Sequence, residues 1–168
     1  RTGVHPEPMS ARTPGRRTTG TSARGPDLRR WGRRLIAASA VASATLPWLA
    51  DWNRRHTFGP EYGPHARWHG ASEVVSATLD GLIALWLLRE GERDHPGSQR
   101  TVTAAALLPI ARWAPFNLTL LLPGTSPYDQ HRLPQRVLGV PAALLSQDLI
   151  AATAATGLLL HRRGHRRR

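Results

Sequence analysis

The chain has 168 residues, which is typical of one domain. It contains no cysteine, which excludes disulfide bonds, thiolate nucleophiles and cysteine-based zinc sites. The formal net charge is +12, all of the basic residues are arginines, and most of them lie near the two ends of the chain. The charge therefore indicates two basic tails rather than a uniformly basic surface.

The first tail, residues 1–30, is rich in Pro, Gly, Ser, Thr and Arg. Such a composition cannot bury a core, so we predict a disordered segment. A basic arm of this kind binds either nucleic acid or the anionic headgroups of a membrane surface. We favour the lipid headgroups and expect no nucleic-acid partner. Residues 162–168 form the second basic tail.

Between the tails, residues 31–161 contain four apolar blocks, which predict an all-α bundle of four transmembrane helices. The predicted helices cover, in chain order, about residues 35–52, 65–89, 101–123 and 137–160. The first block is short for a span, but Trp48 and Trp52 at its end are typical of the membrane interface. Small residues four positions apart favour close helix contact in this block and in the last one. These pairs are Ala38/Ala42, Ser39/Ser43, Ala40/Ala44 and Ala151/Ala155.

The first block also permits a different interpretation. Arginines followed by a modest apolar core and the small residues Ala42, Ser43 and Ala44 are typical of a cleaved secretory signal. In the third block, Pro109 and Pro115 are expected to kink the helix or to break its hydrogen bonds.

The distribution of arginine orients the predicted bundle. Both tails and the connector 89–100 hold most of the arginines, so the positive-inside rule places them in the cytoplasm. The loops before the second and fourth helices then share the outer face. The prediction is a multi-pass membrane protein with both termini cytoplasmic.

The second helix carries a stripe of polar side chains. At 100° per residue its members fall within a sector about 80° wide. They are His65, His69, Glu73, Ser76 and Asp80. Val74, Thr78 and Leu85 fall on the opposite side. Because charged groups are costly in hydrocarbon, we expect the stripe to face the protein interior or a wet cavity.

His65 and His69 have the i, i+4 spacing that places two imidazoles on one metal ion. Glu73 is a candidate third ligand, His56 can approach from the loop, and this donor set suits a divalent metal such as zinc or iron. Two alternatives remain open: a metal-free acid/base or proton-handling site, and interfacial histidines that only anchor the loop. The candidate catalytic residues are His56, His65, His69, Glu73 and Asp80.

Ionisable residues also occur in the other predicted helices. Asp80, Arg112 and Asp148 lie on three different helices. They predict either a fixed ion pair that sets helix register, or a polar pocket for a small lipophile or a proton relay. At the end of the first helix, Asp51 and Asn53 are expected to cap the loop by accepting backbone N–H bonds.

Two stretches of the chain carry a resemblance to a known family. They are Asp51-Trp52-Asn53-Arg54-Arg55-His56-Thr57-Phe58 and Pro64-His65-Ala66-Arg67-Trp68-His69. They resemble the signature of an uncharacterised family of small four-helix integral membrane proteins. The chain departs from that signature at Gly59, Tyr62 and Trp68, where the family usually has Asn, Trp and Phe. The resemblance implies a four-helix membrane fold and an interfacial loop that includes Asp51, Trp52, Asn53 and Arg67.

Three functional hypotheses follow from these patterns. The first is a membrane protein whose outer polar site binds or transforms a small hydrophobic substrate. The second is a non-enzymatic scaffold or accessory subunit whose histidines anchor the interfacial loop. The third, a soluble nucleic-acid-binding protein, conflicts with four apolar blocks.

Overall fold

The computed structural model describes residues 27–91, 97–128 and 136–166. The predicted all-α class is confirmed: four long helices form a bundle, with one short helix and a two-stranded hairpin between the third and fourth of them. The elements are α1 (Leu28–Ala50), α2 (Pro64–Glu90), α3 (Ser98–Trp113), α4 (Phe116–Thr119), β1 (Arg136–Val137), β2 (Val140–Pro141) and α5 (Ala142–Arg166). Some predictions lie outside the described ranges, namely those for residues 1–26, for the middle of the connector 89–100 and for the last two residues.

The four long helices form a ring of antiparallel neighbours in the order α1, α2, α3, α5. Ser39 Oγ on α1 donates a 2.8 Å hydrogen bond to the carbonyl of Ile150 on α5. The core has one apolar cluster in each half of the bundle, around Val102 and around Trp113 respectively. We call the end that carries residues 51–63 the loop end, and the end where α1 begins and α5 finishes the arginine end.

Small residues let α1 approach both of its neighbours. A Cβ atom added to Gly157 of α5 would lie 2.7 Å from the carbonyl oxygen of Gly32 and 2.9 Å from Ile36 Cγ1. A Cβ on Gly81 of α2 would lie 2.7 Å from that of Ala44. Backbone contact of this kind is how helices pack closely when side chains are small. Ser39, Ala40, Ser43 and Ala44 of the predicted seam are buried, whereas Ala38 is exposed.

Two helix ends differ from the sequence prediction. α1 begins at Leu28 rather than near residue 35, because Asp27 caps it by accepting a 3.2 Å hydrogen bond from the N–H of Arg30. α5 continues to Arg166 and includes most of the predicted basic tail. Basic side chains in the last turn of a helix suit its negative end, so these arginines extend α5 instead of ending it.

The third helix is shorter than predicted, and the fourth begins later than predicted. α3 continues through the buried Pro109 but ends at Trp113, and Pro115 then separates it from α4. The residues before α5 form a hairpin in which Leu138 and Gly139 have φ values of 52° and 83°. Both residues of a tight hairpin turn require positive φ. The helix therefore begins at Ala142, and the predicted start at 137 was wrong.

Two helices, α2 and α5, are long and apolar enough to cross a membrane. Within the most apolar 18 residues of each, only 28% and 33% respectively are buried in the bundle. Large apolar side chains such as Leu79, Leu82 and Trp86 of α2 are more than half exposed. This outward apolar surface distinguishes the two helices from the core helices of a soluble domain. The other two described long helices do not meet the same criterion, so four spans are not confirmed.

Candidate functional site

The centre of the candidate site is an arginine that binds two carboxylates of α2. Arg112 donates from Nε and Nη2 to Asp80 Oδ2, at 2.8 and 2.7 Å, and from Nη1 to Glu73 Oε1 at 3.0 Å. Glu73 and Asp80 are seven residues apart, so two helical turns place them on the same face of α2. Arg112, in the last turn of α3, lies opposite that face. The arrangement ties α2 to α3 near the loop end.

The cluster is only partly shielded from solvent. The side chain of Arg112 is 17% exposed, whereas those of Asp80 and Glu73 are 29% and 42% exposed. Charged groups at this depth still reach water, so the pairing is weaker than in a fully buried triad. The carboxylates are also accessible to a ligand from outside the bundle.

The prediction that Asp148 pairs with Arg112 beside Asp80 was wrong. Asp148 Oδ1 instead accepts a 2.6 Å hydrogen bond from Asn117 Nδ2. Arg112 points across the α2–α3 contact, where two carboxylates already surround its guanidinium. Asn117 lies in α4, beyond the break at Pro115, and this places its amide next to α5.

The predicted polar stripe of α2 separates into two groups. The buried face of the helix consists of small and apolar residues: Val74, Ala77, Gly81, Ala84 and Leu88. Glu73 and Asp80 are half-buried at the edge of this face, whereas His65 and His69 are exposed. The stripe does not face the interior as expected, and Val74, predicted on the opposite side, is fully buried. The small residues explain this, because they allow α1 to pack directly on α2.

The two exposed histidines contact each other rather than Glu73. Their Nε2 atoms are 3.2 Å apart, and the ring of Trp68 stacks on His65 and meets His69 edge-on. Two nitrogens on one tetrahedral zinc ion stand about 3.3 Å apart, so the pair has the spacing of two ligands. However, no group of three His, Asp or Glu side chains within residues 27–91, 97–128 and 136–166 is arranged to hold a metal. The predicted third ligand, Glu73, binds Arg112 instead.

His56 lies in the loop beside Asp51. Its Nε2 atom is 3.7 Å from Asp51 Oδ1, and its Nδ1 atom is 3.4 Å from the hydroxyl of Tyr62. Partial burial raises the pKa of Asp51, the charge of His56 lowers it, and the nearby carboxylate of Glu73 raises it further. The carboxylate of Glu73 thus acts electrostatically on Asp51 and also binds Arg112. We call Asp51, His56, Glu73, Asp80 and Arg112 the acidic cluster.

The loop is held in place by capping bonds and aromatic contacts. Asn53 Oδ1 accepts from the N–H of Arg55 at 2.8 Å, as predicted for a cap. Asp51 does not cap through its side chain, because that carboxylate is beside His56; its backbone carbonyl accepts the N–H groups of Asn53 and Thr57 instead. Arg67 lies in the first turn of α2, and its guanidinium donates to the carbonyl of Gly59 at 3.4 Å.

Aromatic rings join the loop to α1. The ring of Trp52 lies 4.9 Å from that of Trp48 and 4.9 Å from that of Phe58. Trp48 also donates a 2.7 Å hydrogen bond to Thr78 on α2. The loop is therefore packed on both helices that it connects.

Two buried polar side chains were not identified from the sequence. Thr57 is fully buried against Gly70, and within the described residues its hydroxyl has no hydrogen-bond partner. Trp113 donates a 2.8 Å hydrogen bond to Ser43 between α3 and α1. Ser43 belongs to a seam that the sequence did predict, but nothing in the pattern of a single chain pairs it with a tryptophan 70 residues away.

Comparison of the chain with protein-family models, curated proteins and solved structures finds no match. The resemblance carried by the two stretches around His56 and His65 therefore stays a prediction. What the site does must be argued from its own groups. These are three carboxylates, one arginine and one histidine at the loop end of the bundle.

Proposed function

We propose that the protein is a multi-pass membrane protein whose acidic cluster faces the outer side and binds a small hydrophobic molecule that carries a cationic group. The observation that supports this best is the charge balance of the cluster. Of its three carboxylates, Glu73 and Asp80 bind Arg112, and Asp51 lies beside His56. Counted over the five residues of the cluster, Arg112 and a protonated His56 balance two of the three negative charges.

The uncompensated charge lies at a partly shielded position. A cation there gains more from a carboxylate than it would in open water, because the effective dielectric constant is lower. The outward apolar side chains of α2 and α5 would accommodate the hydrophobic part of such a ligand within a bilayer. Arg112 fixes Glu73 and Asp80 in position, so the ligand would meet a preformed site.

The proposed orientation follows from the arginines of the described residues. The arginine end carries Arg29, Arg30, Arg33, Arg34, Arg89, Arg100, Arg162, Arg163 and Arg166. The loop end has far fewer, so the positive-inside rule places the arginine end and both termini in the cytoplasm. Because the chain contains no cysteine, Glu61→Cys and Arg163→Cys each introduce a single label site. We expect a membrane-impermeant maleimide to label only Glu61→Cys in intact cells.

The ligand proposal can be tested with a matched pair of probes on detergent-purified protein. One probe is a fluorescent long-chain quaternary ammonium, and the other is the alcohol with the same chain and fluorophore. We expect the cation to bind more tightly, and Glu73→Gln to weaken its binding about tenfold, since a nearby carboxylate is worth about 1 kcal/mol or more. Glu61→Gln removes an exposed loop carboxylate and is the control. Equal binding of both probes, or an equal effect of the control, would contradict the proposal.

A second candidate function is a non-enzymatic scaffold whose histidines anchor the loop. It is favoured by the contacts of His56, His65 and His69 with neighbouring loop or helix residues, which include Asp51, Tyr62 and Trp68. This candidate predicts no selective probe binding in the wild type. It also predicts that His65→Ala and His69→Ala lower the thermal midpoint only slightly. Metal analysis of the same preparations tests the histidine pair as a metal site.

A further inference from the structure

The arginine end carries a groove that the acidic cluster does not involve. It lies between the first two turns of α3 and the last two turns of α5 and has a volume of about 510 Å³. Arg100 comes from α3, and Arg162 and Arg166, one turn apart, come from α5. We call this the arginine groove.

The three guanidinium groups of the groove are available for a ligand. All three side chains are exposed, and none of their guanidinium groups makes a hydrogen bond or ion pair with another residue within the described parts of the chain. Arg33 is different, because it donates to the carbonyls of Leu88 and Gly91 at the end of α2. Positive charges that lie close together repel each other, and a bound anion relieves this repulsion where no carboxylate does.

The groove is polar at one end and apolar at the other. Thr103, Ala104 and Leu107 continue its wall along α3, away from the arginines and toward the middle of the bundle. Leu107 is half exposed, and Arg100 lies about 10 Å further toward the end of the helix, at 1.5 Å per residue. An anionic group at the arginines could therefore have an attached acyl chain lying against Ala104 and Leu107.

We infer that the arginine groove binds the headgroup of an anionic phospholipid of the cytoplasmic leaflet. Its chemistry matches that lipid in two ways, because guanidinium groups bind phosphate oxygens through paired hydrogen bonds and the apolar wall suits an acyl chain. Basic pockets between helices at the cytoplasmic side of a membrane are suited to such headgroups. The inference depends on the proposed membrane location and orientation, but not on the ligand of the acidic cluster.

The test uses delipidated, detergent-purified protein titrated with phosphatidylglycerol or phosphatidylcholine and read by native mass spectrometry. We expect tighter binding of phosphatidylglycerol. Arg162→Gln with Arg166→Gln should weaken it about 30-fold, at about fivefold for each arginine near the surface. Arg163→Gln is the matched control, since it removes an exposed arginine from the same turn of α5 but outside the groove.

Three outcomes would overturn the inference. Equal binding of the two lipids would exclude recognition of the anionic headgroup. An equal loss in Arg163→Gln would show diffuse attraction to the basic end rather than a site. Full displacement of the lipid by glycerol 3-phosphate at equal concentration would assign the groove to free phosphate compounds. Membrane fractionation and binding of the cationic probe are measured on the same variants, so failure of the groove is distinguished from failure of the proposed function.

Discussion

The two ends of the bundle differ in the partners of their arginines. At the loop end, Arg112 is bound by Glu73 and Asp80, and the helices are joined through these side chains. At the arginine end, α1 and α5 meet through the backbones of Gly32 and Gly157, while the arginines of the groove have no partner within the described residues. Arg33 also joins α1 to the end of α2 at the arginine end, but the guanidinium groups of the arginine groove join no helices within the described residues.

The difference shows which role a charged residue can play in this chain. A charge that sets helix register must be held by a partner on another helix, as Arg112 is. Where small residues already bring α1 and α5 together, the arginines of the groove are not needed to join these two helices. This comparison can be tested by disrupting the backbone contact, the arginine pairing and the Asp51 carboxylate in turn.

Gly157→Val should produce the largest loss of stability. Even the first side-chain carbon would lie 2.7 Å from the carbonyl oxygen of Gly32, so α1 and α5 would have to separate. We expect a loss of about 3 kcal/mol in the free energy of unfolding, at the upper end of overpacking effects. Unfolding by denaturant in detergent, followed by circular dichroism, gives the value.

The control for this variant is Gly63→Ala. Nothing lies within 4 Å of a Cβ atom at Gly63, whose φ of −64° suits any residue. Alanine is a poorer N-cap of α2 than glycine, but it also lowers the entropy of the unfolded chain, so the two effects oppose each other and the free energy of unfolding should change by only a few tenths of a kcal/mol. A similar, small effect in both variants would mean that the glycine contact does not hold the arginine end together.

The sequence predicted the helices better than their ends and contacts. Apolar blocks identified the four long helices, because burial and membrane insertion both require continuous apolar residues. The hairpin before α5 was missed, since Leu138 and Gly139 read as part of an apolar run and only their backbone angles reveal the turn. Asp27 was also not predicted as a helix cap, because the arginine-rich residues around it have the composition of a disordered tail.

The candidate site was predicted in part. Glu73, Asp80 and Arg112 were all identified as candidates, since charges within apolar helices are conspicuous. The partner of Arg112 depends on how each helix is rotated about its axis and on which helices are neighbours. Small residues such as Gly81 determine both, and such residues do not stand out in the sequence. For the same reason His65 and His69 lie outside the acidic cluster, although their prediction on one face of α2 was correct.

Arg112→Gln should produce the second-largest effect. It leaves Glu73 and Asp80 without their cation, a change that costs 3–5 kcal/mol in buried pairs. Because these carboxylates are 42% and 29% exposed, we expect about 1–2 kcal/mol, measured by the same unfolding assay. Arg54→Gln, in the exposed loop, is the control and should be nearly neutral.

A double variant sharpens this prediction. If repulsion between uncompensated carboxylates causes the loss, Arg112→Gln with Asp80→Asn should be more stable than Arg112→Gln alone. If the double variant is instead less stable by the sum of both single effects, the cluster does not act as a unit. Helix packing at the loop end would then depend on the aromatic contacts of Trp48 and Trp52.

Asp51→Asn should have the smallest effect, visible as a change in pH dependence. Burial raises the pKa of Asp51 above its usual 3.8, so the folded protein binds this proton more tightly than the unfolded chain does. Wild-type stability contributed by this proton is present below about pH 4 and is lost as the pH rises through the folded pKa. The asparagine of the variant does not titrate, so the free energy of unfolding of Asp51→Asn minus that of the wild type should rise as the pH increases through the folded pKa of Asp51. Because Asp51 is partly exposed, we expect this rise to be less than about 1 kcal/mol. The measurement is the unfolding midpoint of the wild type and of Asp51→Asn at several values between about pH 3.5 and 7. Parallel curves for the two proteins would contradict the prediction, because they would mean that the Asp51 carboxylate is as well solvated in the folded protein as in the unfolded chain.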